Sequence, residues 1–351
     1  MMKRKMAMVM CVILLVSLMA GCGSSNESSG TEGTEETGGG EETIVLEFGH
    51  IQTPDHALTI ATEEFKEMVE DRTDGRVEVN LYPASQLGSA REMMEQISMG
   101  TLDITFADAA DWATTFEIPE LGVFNLPFLC KDLESQTEIL DQIVPEEVPG
   151  MLEGSGLHLL MTYSNGIRNP LLKTKPITSL EDIKGIKMRT AETELYVQIW
   201  NALGASTVTS AWSEAYTVFQ QGVADAVEAD DVGLVSQNLQ EIGKYYSKIG
   251  HLGQTYLVLI NEDKWNSIPE DLQEIIAECA QENQENQWAD RAALGEEAEQ
   301  TMADAGVEIN DISDDEREKM KEACASIYEE YAGEYGLADL IERMEAIGAG
   351  N

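Results

Sequence analysis

The residues best suited to chemistry in this chain are two arginines. In Gly185-Ile186-Lys187-Met188-Arg189, the apolar Ile186 and Met188 alternate with Lys187 and Arg189, so a strand here would send the two kinds to opposite sides. Arg189 would then stand at the strand's carboxyl end, the edge of an open α/β sheet where ligands gather. Arg168 comes shortly before it, in Ser164-Asn165-Gly166-Ile167-Arg168-Asn169. Either guanidinium could receive an anion or close an ordinary ion pair. With 65 Asp and Glu against 22 Lys and Arg, acidic partners are plentiful, and composition leaves both options open. Covalent or acid-base chemistry has less support: His50, His56, His158 and His251 are scattered, and no HExxH, GxSxG or P-loop spacing occurs, which argues against an enzyme. No CxxC or His-containing cluster points to a metal, and no cofactor is implied.

The elements that must carry these arginines follow from periodicity. Residues 43–48 alternate Ile44, Leu46 and Phe48, as a half-buried strand does. Asp55 opens a helix that places Ile60, Ala61, Phe65, Met68 and Val69 on one side, and Thr73-Asp74-Gly75 turns the chain after it. A strand with Val77, Val79 and Leu81, a short helix over 91–99 and a strand over 102–106 complete a β-α-β-α-β order. Residues 117–129 are apolar and Pro-punctuated and read as a packed connection; 156–161 is a further strand. The alternation then repeats. A short helix over 180–184 precedes the Arg189 strand, a helix with Leu195, Ile199 and Leu203 ends at Gly204, and Ser213 caps a helix running to Gly222. Strands over 223–227 and 254–260 follow. From Pro269 to about Ala303 one unusually long helix is predicted, rich in Glu, Gln and Ala. Ser313-Asp314-Asp315-Glu316 is a capping box for another, and a last helix covers 337–347. Such a pattern makes α/β layers, and 351 residues favour two domains.

The formal charge of −43 excludes a nucleic-acid partner, which is held by clustered Lys and Arg, and disfavours adhesion to anionic lipid. Another route to a membrane lies at the N-terminus. Lys3, Arg4 and Lys5 precede an apolar run from Met6 to Ala20, too short to span comfortably and laid out as an export signal. It ends in Leu18-Met19-Ala20-Gly21-Cys22, which resembles the lipobox of bacterial lipoproteins, with Met19 where Leu is usual. The resemblance implies lipidation at Cys22, with residues 1–21 removed as a signal peptide; two acyl chains suffice for stable anchoring. Residues 22–42, which after the cysteine are Gly, Ser, Thr and Glu with one Asn, make a flexible linker. Cys11 leaves with the signal, so Cys130, Cys279 and Cys324 remain, of which at most one pair could form.

The run from Ser179 to Asp231, which contains KGIKMR, ALGA and SEAYTVFQQGVADAVEADD, resembles the central signature of the solute receptors of tripartite ATP-independent periplasmic (TRAP) transporters. FGH at Phe48, YPASQLG at Tyr82, GTLDITFAD at Gly100 and FNLPFL at Phe124 match in the same order. The resemblance implies a periplasmic-binding-protein-like clamshell of type II-like α/β fold, with a long helix spanning both domains. Domain I would hold 43–163 plus 252–294, and domain II 164–251 plus 295–351. It also implies capture of a small organic acid, a uronate or other sugar acid or a C4-dicarboxylate, and delivery to TRAP membrane permease subunits from the outer face of the cytoplasmic membrane. A receptor feeding a sensor kinase or an ATP-driven importer has the same binding chemistry and stays open.

By the same resemblance Arg189 forms a bidentate pair with the ligand carboxylate, a geometry that a planar guanidinium offers and an ammonium does not. Arg168 approaches the same carboxylate or serves as a hinge or structural ion pair. Trp212 lies against the ligand's apolar face or in the core. Asp108 accepts from ligand hydroxyl or amino groups or caps the helix that follows it. The chain departs from the family pattern at Ala229, where an amide that bonds ligand is usual, and Asp230 and Asp231 follow, which either accept from ligand hydroxyls or form a solvated helix start.

Overall fold

A computed structural model describes residues 43–348. The expected signal, Cys22 and linker lie outside them. The described residues hold ten strands: β1 Ile44–Gly49, β2 Val77–Tyr82, β3 Ile104–Asp108, β4 Leu157–Leu172, β5 Lys187–Thr190, β6 Ser206–Thr209, β7 Ala226–Ala229, β8 Tyr245–Lys248, β9 Leu252–Asn261 and β10 Glu308–Asp311. Their order is β2-β1-β3-β9-β4-β7-β5-β6, with β8 joining β4 to β10. In the first lobe β1 is parallel to β2 and β3, while β9 runs antiparallel to β3 and β4. In the second, β5 lies parallel between β6 and β7. Helices connect and cover these strands, giving the mixed α/β, two-lobed fold expected.

The long strand β4 belongs to both lobes. It pairs with β9 as far as Arg168 and with β7 from Asn169 onward. Sequence periodicity ends this strand at residue 161. Instead the chain continues through an irregularity between Ser164 and Ile167. Gly166 sits there at φ +92 with the Arg291 guanidinium against its Cα, so only a residue without a Cβ fits. Backbone groups that lose strand partners at a bulge need others. Gln287 provides them at Ser164: its Oε1 accepts from the Ser164 N–H at 2.9 Å and its Nε2 donates to the Ser164 carbonyl at 2.8 Å.

Gln287 stands on the helix Glu270–Asp304, 35 residues long and thus about 50 Å. Its buried stripe is apolar at both ends, through Leu272 and Ile276 at one and Ala298 and Met302 at the other, and polar in the middle, through Asn283, Gln287 and Arg291. The apolar ends enter the cores of the two lobes; the polar middle faces the irregular part of β4. Pro269 is the N-cap of this helix and not its first-turn residue.

Other boundaries also differ from expectation. The first helix, Ala57–Arg72, is capped by His56, whose Nδ1 accepts from the Leu58 N–H at 3.1 Å, and not by Asp55. Ser213 lies inside a 3-10 turn, Trp212–Glu214, and the following helix Ala215–Gln220 has no side-chain cap. The strand expected over 223–227 begins at Ala226, because Gly222 takes φ +75 and Val223 is exposed. Ser313 does cap its helix, accepting from the Glu316 N–H. Cys130, Cys279 and Cys324 are all free and buried.

Candidate functional site

A cavity of about 230 Å³ opens where β4 passes between the lobes. Gln52, Arg91, Asp111 and Tyr256 line it from the first lobe; Arg189, Tyr196, Ser210, Trp212 and Asp230 from the second; Asn165 and Arg168 from β4 itself. Three of the four ligand residues expected from sequence therefore meet at one cavity: Arg189, Arg168 and Trp212.

Arg189 is 1 % exposed. Lys187, two residues earlier, lies in solvent, so the strand carries one cationic side from the surface into the cavity. The Arg189 Nε donates to Ser210 Oγ at 3.1 Å, and Nη2 donates to the Ser210 carbonyl. Its guanidinium lies over the Trp212 ring, 5.4 Å from the centroid. No carboxylate among the described residues forms an ion pair with it. Burial pulls it down to about 10, which leaves it charged at neutral pH.

Arg168 is buried too, but engaged. Nε pairs with Glu228 Oε2 at 2.6 Å, Nη2 donates to the Glu228 carbonyl at 2.8 Å, and Nη1 donates to Gln254 Oε1 at 2.6 Å. Glu228, fully buried, also accepts from Thr190 Oγ1 at 2.7 Å on Oε1 and meets His251 Nε2 at 3.0 Å on Oε2. Burial would raise this carboxyl, but Arg168 and His251 hold it down at about 2. Burial likewise opposes the charge on Arg168, and the adjacent Glu228 more than offsets it. The acid nearest to Arg189 along the sheet is thus already committed to Arg168.

Trp212 is half-buried, and its Nε1 has no hydrogen-bond partner among the described residues. Asp108 is not at the cavity wall. Its Oδ1 caps the helix Ala109–Phe116 by accepting from the Ala110 N–H at 3.0 Å, and its Oδ2 accepts from the Tyr196 hydroxyl at 2.6 Å. Burial, with Asp111 adding to it, pushes Asp108 up to about 7. Of the two expectations for Asp108, the helix cap describes its contacts; both oxygens are occupied by the protein.

Sequence reasoning passed over Asp111, Glu228 and Tyr196; Asp230, left between a hydroxyl acceptor and a solvated helix start, does start a helix but is buried, not solvated. Glu228 carried a usable signal, a lone acid inside the apolar strand β7. Asp111 and Tyr196 carried none, since their importance comes from two lobes meeting: Tyr196 reaches Asp108, and the Thr193 hydroxyl donates to Asp111 Oδ1. Asp230 caps a helix through the Gly233 N–H at 2.8 Å and also accepts from Asn165 at 2.9 Å; burial pushes it up to about 6.

A two-lobed α/β protein with a buried cation facing an interlobe cavity is built as a receptor for small solutes. The chain belongs to the bacterial extracellular solute-binding proteins, family 7, whose model matches residues 48–334, and it is a receptor of the TRAP type. It is 29% identical over 308 residues to the C4-dicarboxylate-binding periplasmic protein DctP of Rhodobacter capsulatus, covering 87% of this chain and 91% of that one. To the 2,3-diketo-L-gulonate-binding periplasmic protein YiaO of Escherichia coli it is 28% identical over 284 residues, covering 80% and 84%. Its fold matches a TRAP periplasmic solute binding protein from Pseudomonas putida F1 with bound D-glucuronate, at TM-score 0.80 and 26% identity over 86% of this chain and 97% of that one. A second such protein, from Chromohalobacter salexigens and also with bound D-glucuronate, matches at TM-score 0.81 and 25% identity, over 86% and 99%.

Proposed function

We propose that this receptor captures a small organic acid, a sugar acid or a C4-dicarboxylate, by closing its lobes around a carboxylate bound to Arg189, and hands it to TRAP permease subunits. The observation that carries the reading is the state of that guanidinium: buried, charged and held by neutral partners, while the nearest strand acid serves Arg168. An incoming carboxylate would supply the missing charge and two acceptors. Arg168 would act chiefly by keeping Glu228 away, with its remaining N–H groups toward the cavity, and Trp212 would lie along the ligand's apolar face. The lobes would divide as 43–163 plus 252–294 and 164–251 plus 295–351, pivoting where β4 and β9 cross. A lipid anchor at Cys22 would hold the receptor on the outer face of the cytoplasmic membrane. It would bind and release its solute unchanged, without catalysis.

The chain's overall acidity does not oppose an anionic ligand, because screening over about 8 Å at physiological salt leaves the local arginines in control. The test is a thermal-shift screen of the protein and of Arg189→Lys against an organic-acid library. A ligand at about 100 times its Kd adds about 2.7 kcal/mol to stability, and truncating one partner of a buried charge pair removes about 2–5 kcal/mol of binding. Arg189→Lys is therefore expected to melt as the parent does alone and to lose the ligand-induced shift. Equal shifts for the two proteins would reject the role given to Arg189.

A further inference from the structure

The two lobes present different groups to the cavity, although acids stand on both, Glu192 and Asp230 lining it from the second. On the second lobe stand Arg189 and the unpartnered Trp212 Nε1, both able to donate. On the first lobe stand acceptors. Asp111, in the first turn of the helix Ala109–Phe116, takes the Thr193 hydroxyl on Oδ1, while its Oδ2 has no hydrogen bond from the described residues. Gln52 is 2 % exposed; it gives Nε2 to the Tyr256 hydroxyl at 3.4 Å and leaves Oε1 buried and without a partner. The Gln52 Oε1, an acceptor buried without a donor among the described residues, is costly; Asp111 is only half-buried, and both residues line the cavity.

We propose that Asp111, together with Gln52, makes this cavity selective for acids with one carboxylate and a hydroxyl-bearing far end, and against acids with a carboxylate at each end. The inference rests on the receptor reading above and names its solute class. With the ligand's carboxylate on Arg189, its far end faces the first lobe. One hydroxyl there donates to Asp111 Oδ2 in a charge-assisted bond, and a second donates to Gln52 Oε1. A second carboxylate brings no hydrogen for either acceptor and sets one negative charge beside another in a site shielded from water. Specificity of this kind depends on the repulsive element as much as on the attractive one.

Burial raises the Asp111 carboxyl, and Glu192 adds to this; the Thr193 hydroxyl, Arg168 and Arg189 pull it back only in part, so it stays above the usual carboxylate range, as does Asp108 beside it, pushed up to about 7. Arg91 also lines this side, but it is exposed and its Nε is paired with Glu95 at 3.2 Å. It therefore sits in screened solvent at the mouth and offers little to a second carboxylate inside.

The experiment is calorimetric titration of the full chain with two matched pairs, D-glucuronate against D-glucarate and D-galactonate against D-galactarate, together with succinate. In each pair the members differ at one end, where the second acid carries the additional carboxylate. The monocarboxylate of at least one pair is expected to bind at least about tenfold more tightly than its partner and than succinate. Asp111→Asn, which keeps the shape and an acceptor for Thr193, should bring that ratio toward one while melting normally without ligand. Dicarboxylate binding as tight as monocarboxylate binding in the parent, an unchanged ratio in Asp111→Asn, or glucarate binding that Arg91→Gln abolishes would overturn the assignment while leaving the receptor reading in place. No binding of any of these acids would overturn both.

Discussion

Arg168 and Arg189 enter one cavity from β4 and β5, the strands on either side of β7, are both almost fully buried, and are treated in opposite ways. Arg168 is locked by Glu228, Gln254 and a main-chain carbonyl; Arg189 meets only the Ser210 hydroxyl and carbonyl and the face of Trp212. A fold that buries a cation must neutralise it internally or leave it to be neutralised from outside, since an isolated buried charge is unfavourable. The second arrangement gives up stability, as the binding role proposed for Arg189 requires, and Arg189 is the one of the two without an internal counter-charge among the described residues.

The largest effect that sharpens the contrast should come from Glu228→Ala. It strands Arg168 and leaves His251 and Thr190 without their acceptor, and breaking a buried pair from one side costs about 3–5 kcal/mol. Urea denaturation should show that loss; a change below about 1 kcal/mol would mean that water or Gln254 takes over and that the two arginines differ less than their contacts suggest.

Asp108 extends the comparison to carboxyls. Its folded pKa is raised above that of an unfolded Asp, so the native state keeps this proton longer. Its contribution is complete below about pH 4 and is lost as pH rises through about 7. Asp108→Asn has no such proton to lose. The stability of the variant relative to the parent should therefore climb between pH 4.5 and 8, by on the order of 3 kcal/mol. Parallel curves in urea midpoints across that range would show Asp108 to be ionised throughout, with Tyr196 stabilising its charged form.

A smaller effect of opposite sign is expected at Arg189. Arg189→Met removes an unpaired buried charge, keeps a long apolar stem over Trp212, and should raise the melting temperature of the unligated protein by the equivalent of about 1–2 kcal/mol while abolishing binding. Destabilisation similar to that of Glu228→Ala would erase the distinction between the two sites.

Much of the fold was legible in local pattern. The alternation in residues 44–48, 77–81 and 186–189 marks strands because one face of each meets a core, and the Ser313 capping box marks a helix start because its partner lies three residues away. The long helix was legible from its lack of breakers. β4 beyond residue 161 was not. Its polar stretch becomes strand only because β9 and β7 supply pairing partners and Gln287, more than 120 residues distant, bonds the Ser164 backbone. The N-terminal cap was misassigned to Asp55 because a His ring nitrogen accepts as well as a carboxylate does, and local pattern does not rank the two.

The sequence by itself determined the alternating α/β elements, the cationic face of β5 and the family to which the chain belongs, since those depend on side-chain periodicity and ordered motifs within short segments. Only the tertiary structure decided which arginine would be neutralised. Glu228 lies 60 residues from Arg168 and beside Arg189 in the sheet, and its choice between them follows from strand register and side-chain direction. Asp108 and Asp111 were likewise separated by which atoms the opposite lobe brings to them: Tyr196 completes the first, and Thr193 covers half of the second.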